Sequence, residues 1–336
     1  MVNSPILSII VPAYNASSTI RRCIGSLVGQ TERNIEILLI DDGSTDDTLS
    51  LCEELAAKDA RVKVFSKLNE GQGLARNYGI KLAKGKYISF VDADDSCSST
   101  MYELLLESAI NNSADITVCG YTDVLDDTVV CSHPVESFVL TEKEQKQRYM
   151  ADLVSELGRD SGSGCIAVWD GIYRRSLLED NQVFFPSERR VYSEDLVFKL
   201  RALSHSQRIC SVPQCLYEYH INSGSFSKNT DSSVIGRLKF MYETLSDEFS
   251  SLLRAFSFDE RNKNRLFISL RYALKGVPDG DARRAFVTSL VQDSVLFEYL
   301  DGYVPTNLLN TVFYWALKTR NATICHVLLS CLKLKG

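Results

Sequence analysis

Short apolar runs rich in β-branched residues alternate with segments of helical spacing in the first third of the chain. The runs cover residues 7–11, 36–40, 62–65, 87–91 and 116–118. This alternation predicts an α/β fold with a mainly parallel sheet and helices on both faces, because helices join successive parallel strands. In such sheets, ligands bind beyond the carboxyl ends of the strands. The binding site is therefore expected among the loops that follow these runs.

The composition argues against several classes of protein. A formal net charge of −6 disfavours a general nucleic-acid binder, because such proteins need a basic surface to neutralise phosphates. The 10 cysteines lie at irregular separations without a Cys-x-x-Cys pair, so neither a disulfide framework nor a structural zinc site is indicated. The N-terminus lacks the features of a signal peptide, and no uninterrupted apolar stretch is long enough to span a bilayer. A cytoplasmic protein with reduced thiols is expected.

Three carboxylates follow the apolar run at residues 87–91, in the sequence Asp-Ala-Asp-Asp at residues 92–95. Alternate positions of an extended chain project to the same side, so Asp92 and Asp94 repel each other unless a cation lies close to both. Oxygen ligands of this kind suit Mg²⁺ or Mn²⁺, which commonly bridge to the phosphates of a nucleotide. A solvated loop that caps the next helix is the alternative, but one acid suffices for that role. The crowding therefore favours a metal site.

Three other places in the sequence permit either a structural or a functional interpretation. Asp41, which follows the run at 36–40, either begins a turn or accepts the imide N–H of uracil. Arg76 follows two glycines near a predicted helix start and either lies in solvent or reaches a nucleotide. Glu194 and Asp195 precede an apolar helix, where acids stabilise the helix dipole without belonging to a site. The residues alone leave these alternatives open.

Four stretches of the sequence resemble a known family when they are taken together. They are SIIVPAYN at residues 8–15, IDDGSTD at 40–46, GQGLARNYG at 71–79 and GKYISFVDADD at 85–95. In this order they are similar to family-2 glycosyltransferases with the GT-A fold, of the kind that assembles bacterial polysaccharides. The resemblance extends from about Ser8 to Phe226.

The resemblance implies a division of the chain and an activity. A Rossmann-like catalytic domain would cover residues 1–228, with a nucleotide-binding part to about residue 125 and an acceptor-binding part over 126–228. A C-terminal helical region would cover residues 229–336. The implied activity is inverting transfer of a sugar from a UDP-sugar to a hydroxyl of a glycan or lipid-linked acceptor, with Mn²⁺ or Mg²⁺ as cofactor.

The same resemblance assigns roles to individual residues. Asp195 would be the catalytic base, Asp94 the direct metal ligand and Asp92 a residue near both ribose and metal. His220 falls where some relatives supply a residue near the diphosphate or metal. Glu194 and Trp169 would support the acceptor side, although residues 169–173 read WDGIY where family chains often read Trp-Asn-Lys-Leu-Tyr. The residues implied to line the nucleotide pocket are Pro12, Tyr14, Asn15, Asp41, Arg76, Asp92 and Ala93.

A protein that has kept the fold but lost turnover is the alternative to an enzyme. Such a protein would bind nucleotide sugars or act as a scaffold in polysaccharide assembly, because fold does not dictate function. The complete set of motifs favours the enzyme.

The C-terminal segment is basic and partly apolar. No acidic residue follows Asp301, while Lys318, Arg320, Lys333 and Lys335 accompany apolar residues at partly helical spacing. Such a segment either packs on the rest of the chain or lies on an anionic membrane surface. The second possibility would place the protein at the inner face of the plasma membrane.

Overall fold

The computed structural model describes residues 4–155, 165–221, 233–278, 280–305 and 308–331, except for the side chains of residues 326 and 328–331. Two units are present. The first comprises Met1–Lys146, Cys165–Glu188 and Glu194–Asn222, and the second comprises Gln147–Gly164, Arg189–Ser193 and Ser223–Gly336. The expected domain boundary at residue 228, the end of the resemblance at Phe226, and the basic residues Lys333 and Lys335 lie outside the described residues.

Ten strands of the described residues form one sheet in the first unit. The order across the sheet is β3-β2-β1-β4-β9-β6-β10-β5, with β7 beside β6 and β8 beside β10. In chain order the strands are β1 Leu7–Ala13, β2 Ile35–Asp41, β3 Val62–Ser66, β4 Tyr87–Phe90, β5 Ser96–Cys97, β6 Ile116–Leu125, β7 Thr128–His133, β8 Val139–Leu140, β9 Gly171–Arg174 and β10 Ile209–His220.

The first four strands of that order are parallel. Strands β1 and β2 are buried along their whole length, as near-continuous apolar strands covered on both faces should be. Strand β9 then runs antiparallel between β4 and β6, while β6 and β10 are parallel to each other. The prediction of a mainly parallel sheet is confirmed. The alternating pattern gave no indication of the antiparallel β9, because it comes from a distant part of the chain.

Helices cover both faces of this sheet. Helix α1 buries Ile20, Cys23, Ile24 and Leu27, the spacing of one helical stripe, in the same apolar core as Ile9. Side chains alternate along a strand, so Ile10 faces the other side, where α3 approaches so closely that Gly79 lies directly against it. The helices of this unit are α1 Ile20–Val28, α2 Thr48–Ala56, α3 Gln72–Leu82, α4 Met101–Asn111, α6 Arg175–Asp180 and α7 Glu194–His205.

From residue 233 onward the described part of the second unit is mainly helical, as the sequence predicts for the C-terminal region. Helix α5, Lys143–Val154, begins in the first unit and ends in the second. Arg265 donates to the backbone oxygens of Leu153 and Val154 at the end of α5. None of the helices in the described parts of the chain combines the length and the apolar character needed to cross a membrane. The others are α8 Ser233–Leu253, α9 Phe258–Gly276, α10 Asp281–Gln292, α11 Ser294–Tyr299, α12 Leu308–Lys318 and α13 Ala322–Cys331.

Candidate active site

The loops that follow β1 and β2 are hydrogen-bonded to each other at the carboxyl edge of the sheet. Ala13 and Asp41 lie opposite each other at the ends of these strands. Beyond them, the Asn15 backbone N–H donates to Ser44 Oγ at 3.1 Å, and the Asn15 side-chain oxygen accepts from the Thr45 N–H at 2.8 Å. Strand β4 is parallel to β1, so the loop after β4 begins at the same edge. The three loops that the sequence predicts to meet therefore share one edge.

The residues expected to bind a nucleotide differ in their exposure. Pro12 and Asp41 are buried, whereas Asn15 is exposed and Tyr14 has 51% of its surface accessible. The Asp41 carboxylate accepts a hydrogen bond from a backbone N–H of the following turn and another from the Ser66 hydroxyl at 2.9 Å. Each carboxylate oxygen has two lone pairs. Asp41 therefore retains the capacity to accept a further donor.

Asp42, to which the sequence assigns no separate role, joins the loop after β2 to the start of α3. Its carboxylate accepts from Lys67 Nζ and from the Gly71 N–H, each at 2.7 Å. Gly71 precedes α3 with a φ of 100°, which favours glycine, and a Cβ at this position would overlap the Glu188 carboxylate. These contacts fix the start of the helix that carries Arg76.

Arg76 of α3 is completely buried and binds three carboxylates. One Nη atom lies 2.7 Å from Asp92 Oδ1, and the other lies 2.8 Å from Asp195 Oδ1 and 3.4 Å from Glu194 Oε1. The ring of Phe185 lies 5.3 Å from the guanidinium carbon. We call the four charged residues the Arg76 cluster. The cluster joins the loop after β4 to the first turn of α7, although these two segments are far apart in the sequence.

Burial and mutual attraction oppose each other in the Arg76 cluster. Burial lowers the pKa of Arg76, but the three carboxylates outweigh this effect and raise the pKa above its ordinary value. Burial raises the pKa of Asp195 to about 7; Arg76 opposes the rise, and the charges of Glu194 and Asp92 add to it. The Asp195 side chain keeps 18% of its surface exposed. It therefore combines access to solvent with titration near neutral pH.

The acidic loop after β4 crowds three carboxyl groups together. Asp95 is buried, and it accepts from the Tyr217 hydroxyl at 2.7 Å and from the His220 backbone N–H at 2.8 Å. Burial raises the pKa of Asp95 to about 8, and the charges on Asp92 and Asp94 contribute to the rise. A divalent cation near Asp92 and Asp94 would relieve this repulsion. Their oxygen ligands fit the chemistry of Mg²⁺ or Mn²⁺.

His220 ends β10 beside the acidic loop. Its Nε2 lies 2.8 Å from Ser96 Oγ, and the Ser96 hydroxyl donates to Glu218 at 2.5 Å. Because that hydroxyl has given its hydrogen to Glu218, Nε2 is the donor to Ser96 in this arrangement. Burial lowers the pKa of His220, and the positive charge of Arg22 lowers it further. Both effects favour the neutral imidazole, and the role of His220 as a metal ligand stays a prediction.

Trp169 is linked to the acidic loop through a tyrosine. Its ring stacks on Tyr217, with centroids 4.1 Å apart and an interplanar angle of 7°, and meets Tyr121 edge to face at 5.0 Å. The Tyr217 hydroxyl donates to Asp95 and accepts from the Asp92 N–H at 3.2 Å. Tyr217 therefore connects the Trp169 ring to the loop that holds the carboxylates.

Residues 169–173 lack the lysine that family chains often carry two positions after the tryptophan. Lys199 of α7 supplies a cation next to this segment. It follows Asp195 by one turn of α7, and its Nζ donates to Asp170 Oδ2 at 2.6 Å. The same ammonium group donates to the backbone oxygens of Cys165 and Ala167 at 2.7 and 2.9 Å. Burial raises the pKa of Asp170, and Lys199 opposes the rise. This pair fastens the segment before β9 to the helix of the expected base.

The structure groups the expected site residues in two places. Arg76, Asp92, Glu194 and Asp195 are in direct contact, and Asp94 lies in the loop that also holds buried Asp95. Tyr14 and Asn15 lie in the loop after β1, and Asp41 is the last residue of neighbouring β2. Of the residues that sequence reasoning missed, Lys199 had a signal in its i, i+4 spacing from Asp195. The contacts of Asp42 and Tyr217 had none.

Comparison with known proteins gives consistent matches. Residues 8–177 match the family model described as glycosyl transferase family 2. Over 227 residues the chain is 37% identical to the "uncharacterized glycosyltransferase EpsJ" of Bacillus subtilis, covering 67% of this chain and 63% of EpsJ. The match thus spans less than two thirds of that relative.

Two solved structures show the fold. S. aureus TarS 1-349 in complex with UDP-GlcNAc has a TM-score of 0.70 and 19% identity, covering 96% of this chain and 90% of TarS 1-349. The mannosyltransferase PcManGT from Pyrobaculum calidifontis, in complex with GDP-Man and Mn²⁺, has a TM-score of 0.52 and 15% identity, covering 97% of this chain and 87% of PcManGT. The expected GT-A fold is confirmed.

Proposed function

The chain belongs to glycosyl transferase family 2, and from this membership and the site geometry we propose that it is an inverting, metal-dependent glycosyltransferase. It would move a sugar from a UDP-sugar to a hydroxyl of a glycan or lipid-linked acceptor. The observation that carries the proposal is the Arg76 cluster. A single buried guanidinium connects Asp92, in the loop expected to hold donor and metal, with Asp195, the expected base.

Asp195 has the properties that a general base requires. Its pKa of about 7 allows it to be ionised near neutral pH and still to accept a proton effectively. In the proposed step, the acceptor oxygen attacks the anomeric carbon from the face opposite UDP, the bond to UDP breaks, and Asp195 takes the hydroxyl proton. The configuration at the anomeric carbon inverts, and no covalent enzyme intermediate forms. Arg76 holds the carboxylate in place.

The donor would bind at the loops after β1, β2 and β4. Buried Asp41 retains acceptor capacity for the imide N–H of uracil, and exposed Tyr14 lies in the adjoining loop. Asp94 and Asp92 would hold Mn²⁺ or Mg²⁺. When bound, the metal neutralises the charge that develops on the diphosphate as UDP leaves. TarS 1-349 binds UDP-GlcNAc, and PcManGT binds GDP-Man and Mn²⁺, which supports a nucleotide-sugar donor and a divalent ion here.

Release of UDP from a panel of UDP-sugars tests the proposal. We expect the full chain to release UDP from at least one UDP-sugar in the presence of Mn²⁺ or Mg²⁺, through transfer or slow hydrolysis, and not in the presence of EDTA. Isothermal titration should show that UDP binding also depends on the metal. Metal-dependent binding of UDP-sugars without UDP release, with acceptor extracts supplied, would favour the alternative of a non-catalytic binding or scaffold protein.

Asp94→Asn is the matching variant for the metal. Removing this carboxylate should weaken metal-dependent UDP binding by at least about tenfold. Even the loss of a residue that only hydrogen-bonds to a metal ligand weakens metal binding by about that factor. Asp47→Asn is the control, because Asp47 is an exposed acid after a neighbouring strand and its side chain makes no cap hydrogen bond to α2. Equal UDP affinity in the two variants would remove Asp94 from the metal site.

We also propose that the C-terminal helices approach an anionic membrane surface. In the second unit, α12 buries Phe313 and Leu317, whereas Trp315 has 64% of its surface exposed and Lys318 is exposed. An exposed tryptophan beside a lysine is suited to the interface of an anionic bilayer. Such a location would bring the enzyme to lipid-linked acceptors at the inner face of the plasma membrane.

Co-sedimentation with phosphatidylglycerol-containing liposomes tests this location. We expect the unaltered chain to bind the liposomes and the double variant Trp315→Ser, Lys318→Ser to lose that binding, because the exposed aromatic ring and the positive charge are gone. The variant should still fold, since both substitutions leave the buried face of α12 intact. Tyr272→Ser, Lys275→Ser on α9 is the control, since it removes an exposed tyrosine and a half-buried lysine at the same spacing. Liposome binding that both double variants retain would exclude the α12 surface.

A further inference from the structure

A cysteine, a histidine and an aspartate lie together on the β6–β7 hairpin, outside the site described above. Asp123 of β6 is directly opposite Cys131 of β7, and Tyr121 is directly opposite His133. Side chains alternate along each strand, so these four residues share one face of the hairpin. The pairing register shifts just after Asp123, and such bulges increase the local twist of the two strands.

The potential ligand atoms of this group are close together. One side-chain N, O or S atom from each of Asp123, Cys131 and His133 lies within 4.8 Å of the others. His133 Nε2 lies 2.9 Å from Asp123 Oδ2. The imidazole also stacks on Tyr121, with centroids 4.3 Å apart and an interplanar angle of 18°. The stacking and the hydrogen bond fix the plane of the imidazole before any ion arrives.

We propose that Asp123, Cys131 and His133 form a binding site for Zn²⁺. Thiolate and imidazole ligands favour Zn²⁺ over Mg²⁺ or Mn²⁺, which prefer all-oxygen sites such as the acidic loop. Three protein ligands leave a fourth position for water. Binding releases protons, because the Cys131 thiol must lose its proton and the ion replaces the proton shared by His133 and Asp123. Cys131 is exposed, so the ion has direct access from solvent.

The spacing of the three residues explains why the sequence indicates no zinc site. Two ligands are separated by one residue in β7, and the third lies in β6 on the far side of a two-residue turn. That turn is made by Asp126 and Asp127, both with positive φ, and it sets the pairing of the two strands. The site therefore depends on hairpin register. The proposal does not rest on the proposed function, because it concerns residues of the hairpin alone.

Titration of the reduced full-length chain with Co²⁺, a spectroscopic substitute for Zn²⁺, tests the site. We expect a thiolate-to-cobalt charge-transfer band in the near ultraviolet that one equivalent of Zn²⁺ abolishes. The band should be lost in Cys131→Ser and kept in Cys215→Ser, which removes a half-buried thiol from neighbouring β10. It should also persist in Asp94→Asn. Absence of the band in the unaltered chain, or its loss only in Cys215→Ser, would overturn the proposal.

Two further measurements keep the test independent of any one variant. His133→Gln and Asp123→Asn should each weaken Zn²⁺ binding by more than about tenfold. That factor is the lower end of what is lost when a residue that only supports a metal ligand is removed. In the unaltered chain, Zn²⁺ should slow alkylation of Cys131, followed by mass spectrometry of its peptide. Alkylation of Cys131 at the same rate with and without Zn²⁺ would show that the thiol is not a ligand.

Discussion

Asp195→Asn should lower the rate of sugar transfer by about 10²- to 10⁴-fold, the usual contribution of a general base, while UDP binding stays nearly unchanged. The amide keeps an oxygen that can accept from Arg76, but it cannot take the acceptor proton. In the unaltered chain, kcat/KM for transfer should fall as the pH drops below about 7, because Asp195 becomes protonated. Steady-state kinetics across pH, with calorimetry of UDP binding, measures both effects.

The loss in Asp195→Asn should not arise from unfolding. Burial raises the folded-state pKa of Asp195 above its ordinary value, so the ionised group destabilises the folded protein progressively from about pH 4 to pH 7. An uncharged asparagine avoids that destabilisation, so the unfolding midpoint at pH 8 should be equal or higher. Loss of activity together with undiminished stability is the pattern expected of a catalytic group.

Glu194→Gln is the matched control for the base. Glu194 is the adjacent residue, contacts the same Arg76 and accepts a hydrogen bond from Gln72 at 2.6 Å. If Asp195 is the base, Glu194→Gln should still lose activity as the pH falls, with a smaller loss of rate. The pH at which the loss occurs should be lower, because one of the charges that raise the pKa of Asp195 is removed. The reverse outcome, with full activity in Asp195→Asn and little in Glu194→Gln, would transfer the role to Glu194.

The sequence predicts those features of the fold and site that depend on neighbouring residues. The parallel strands β1 to β4 follow from apolar runs separated by helical segments, and the strand-end rule brings their loops to one edge. The acidic residues at 92–95 can also be recognised from the sequence, because they are neighbours in it. Local spacing therefore reveals the strands and the loops that carry polar groups.

Contacts between distant residues could not be predicted in this way. Arg76 and Asp195 are 119 positions apart, and Tyr217 and Asp95 are 122 apart. Their meeting depends on β9 and β10 joining the sheet beyond β4, which no run of residues near either partner specifies. The family resemblance implies that Arg76 contacts the nucleotide, whereas the structure shows its guanidinium bound to three carboxylates. Whether it also reaches a nucleotide stays a prediction.

Arg76→Met should destabilise the first unit by about 3–5 kcal/mol, the usual result of removing one partner from a buried ion pair. Methionine fills much of the volume of the arginine side chain, but it leaves Asp92, Glu194 and Asp195 close together without a cation. The effect should shrink as the pH falls, because protonated carboxyl groups no longer repel one another. The stability of Arg76→Lys should lie between those of Arg76→Met and the unaltered chain. An ammonium group keeps the positive charge but lacks the planar guanidinium that binds two carboxylates at once.

The two tryptophans allow the unfolding of the first unit to be measured separately. Trp169 belongs to the first unit and Trp315 to the second, and the chain contains 2 tryptophans. In a Trp315→Phe background, fluorescence during urea denaturation therefore reports on the surroundings of Trp169 alone. The slope of the transition should be unchanged in Arg76→Met if only stability is altered.

Arg21→Met is the control for the loss of an arginine from an ion pair. Arg21 binds Glu54 at 2.5 Å, but both side chains are about half exposed, and such pairs contribute little to stability. The midpoint of Arg21→Met should therefore stay close to that of the unaltered chain, whereas Arg76→Met should unfold at a much lower urea concentration. Equal midpoints for the two variants would mean that the three carboxylates do not depend on Arg76, and the connection between the acidic loop and the first turn of α7 would have to be sought elsewhere.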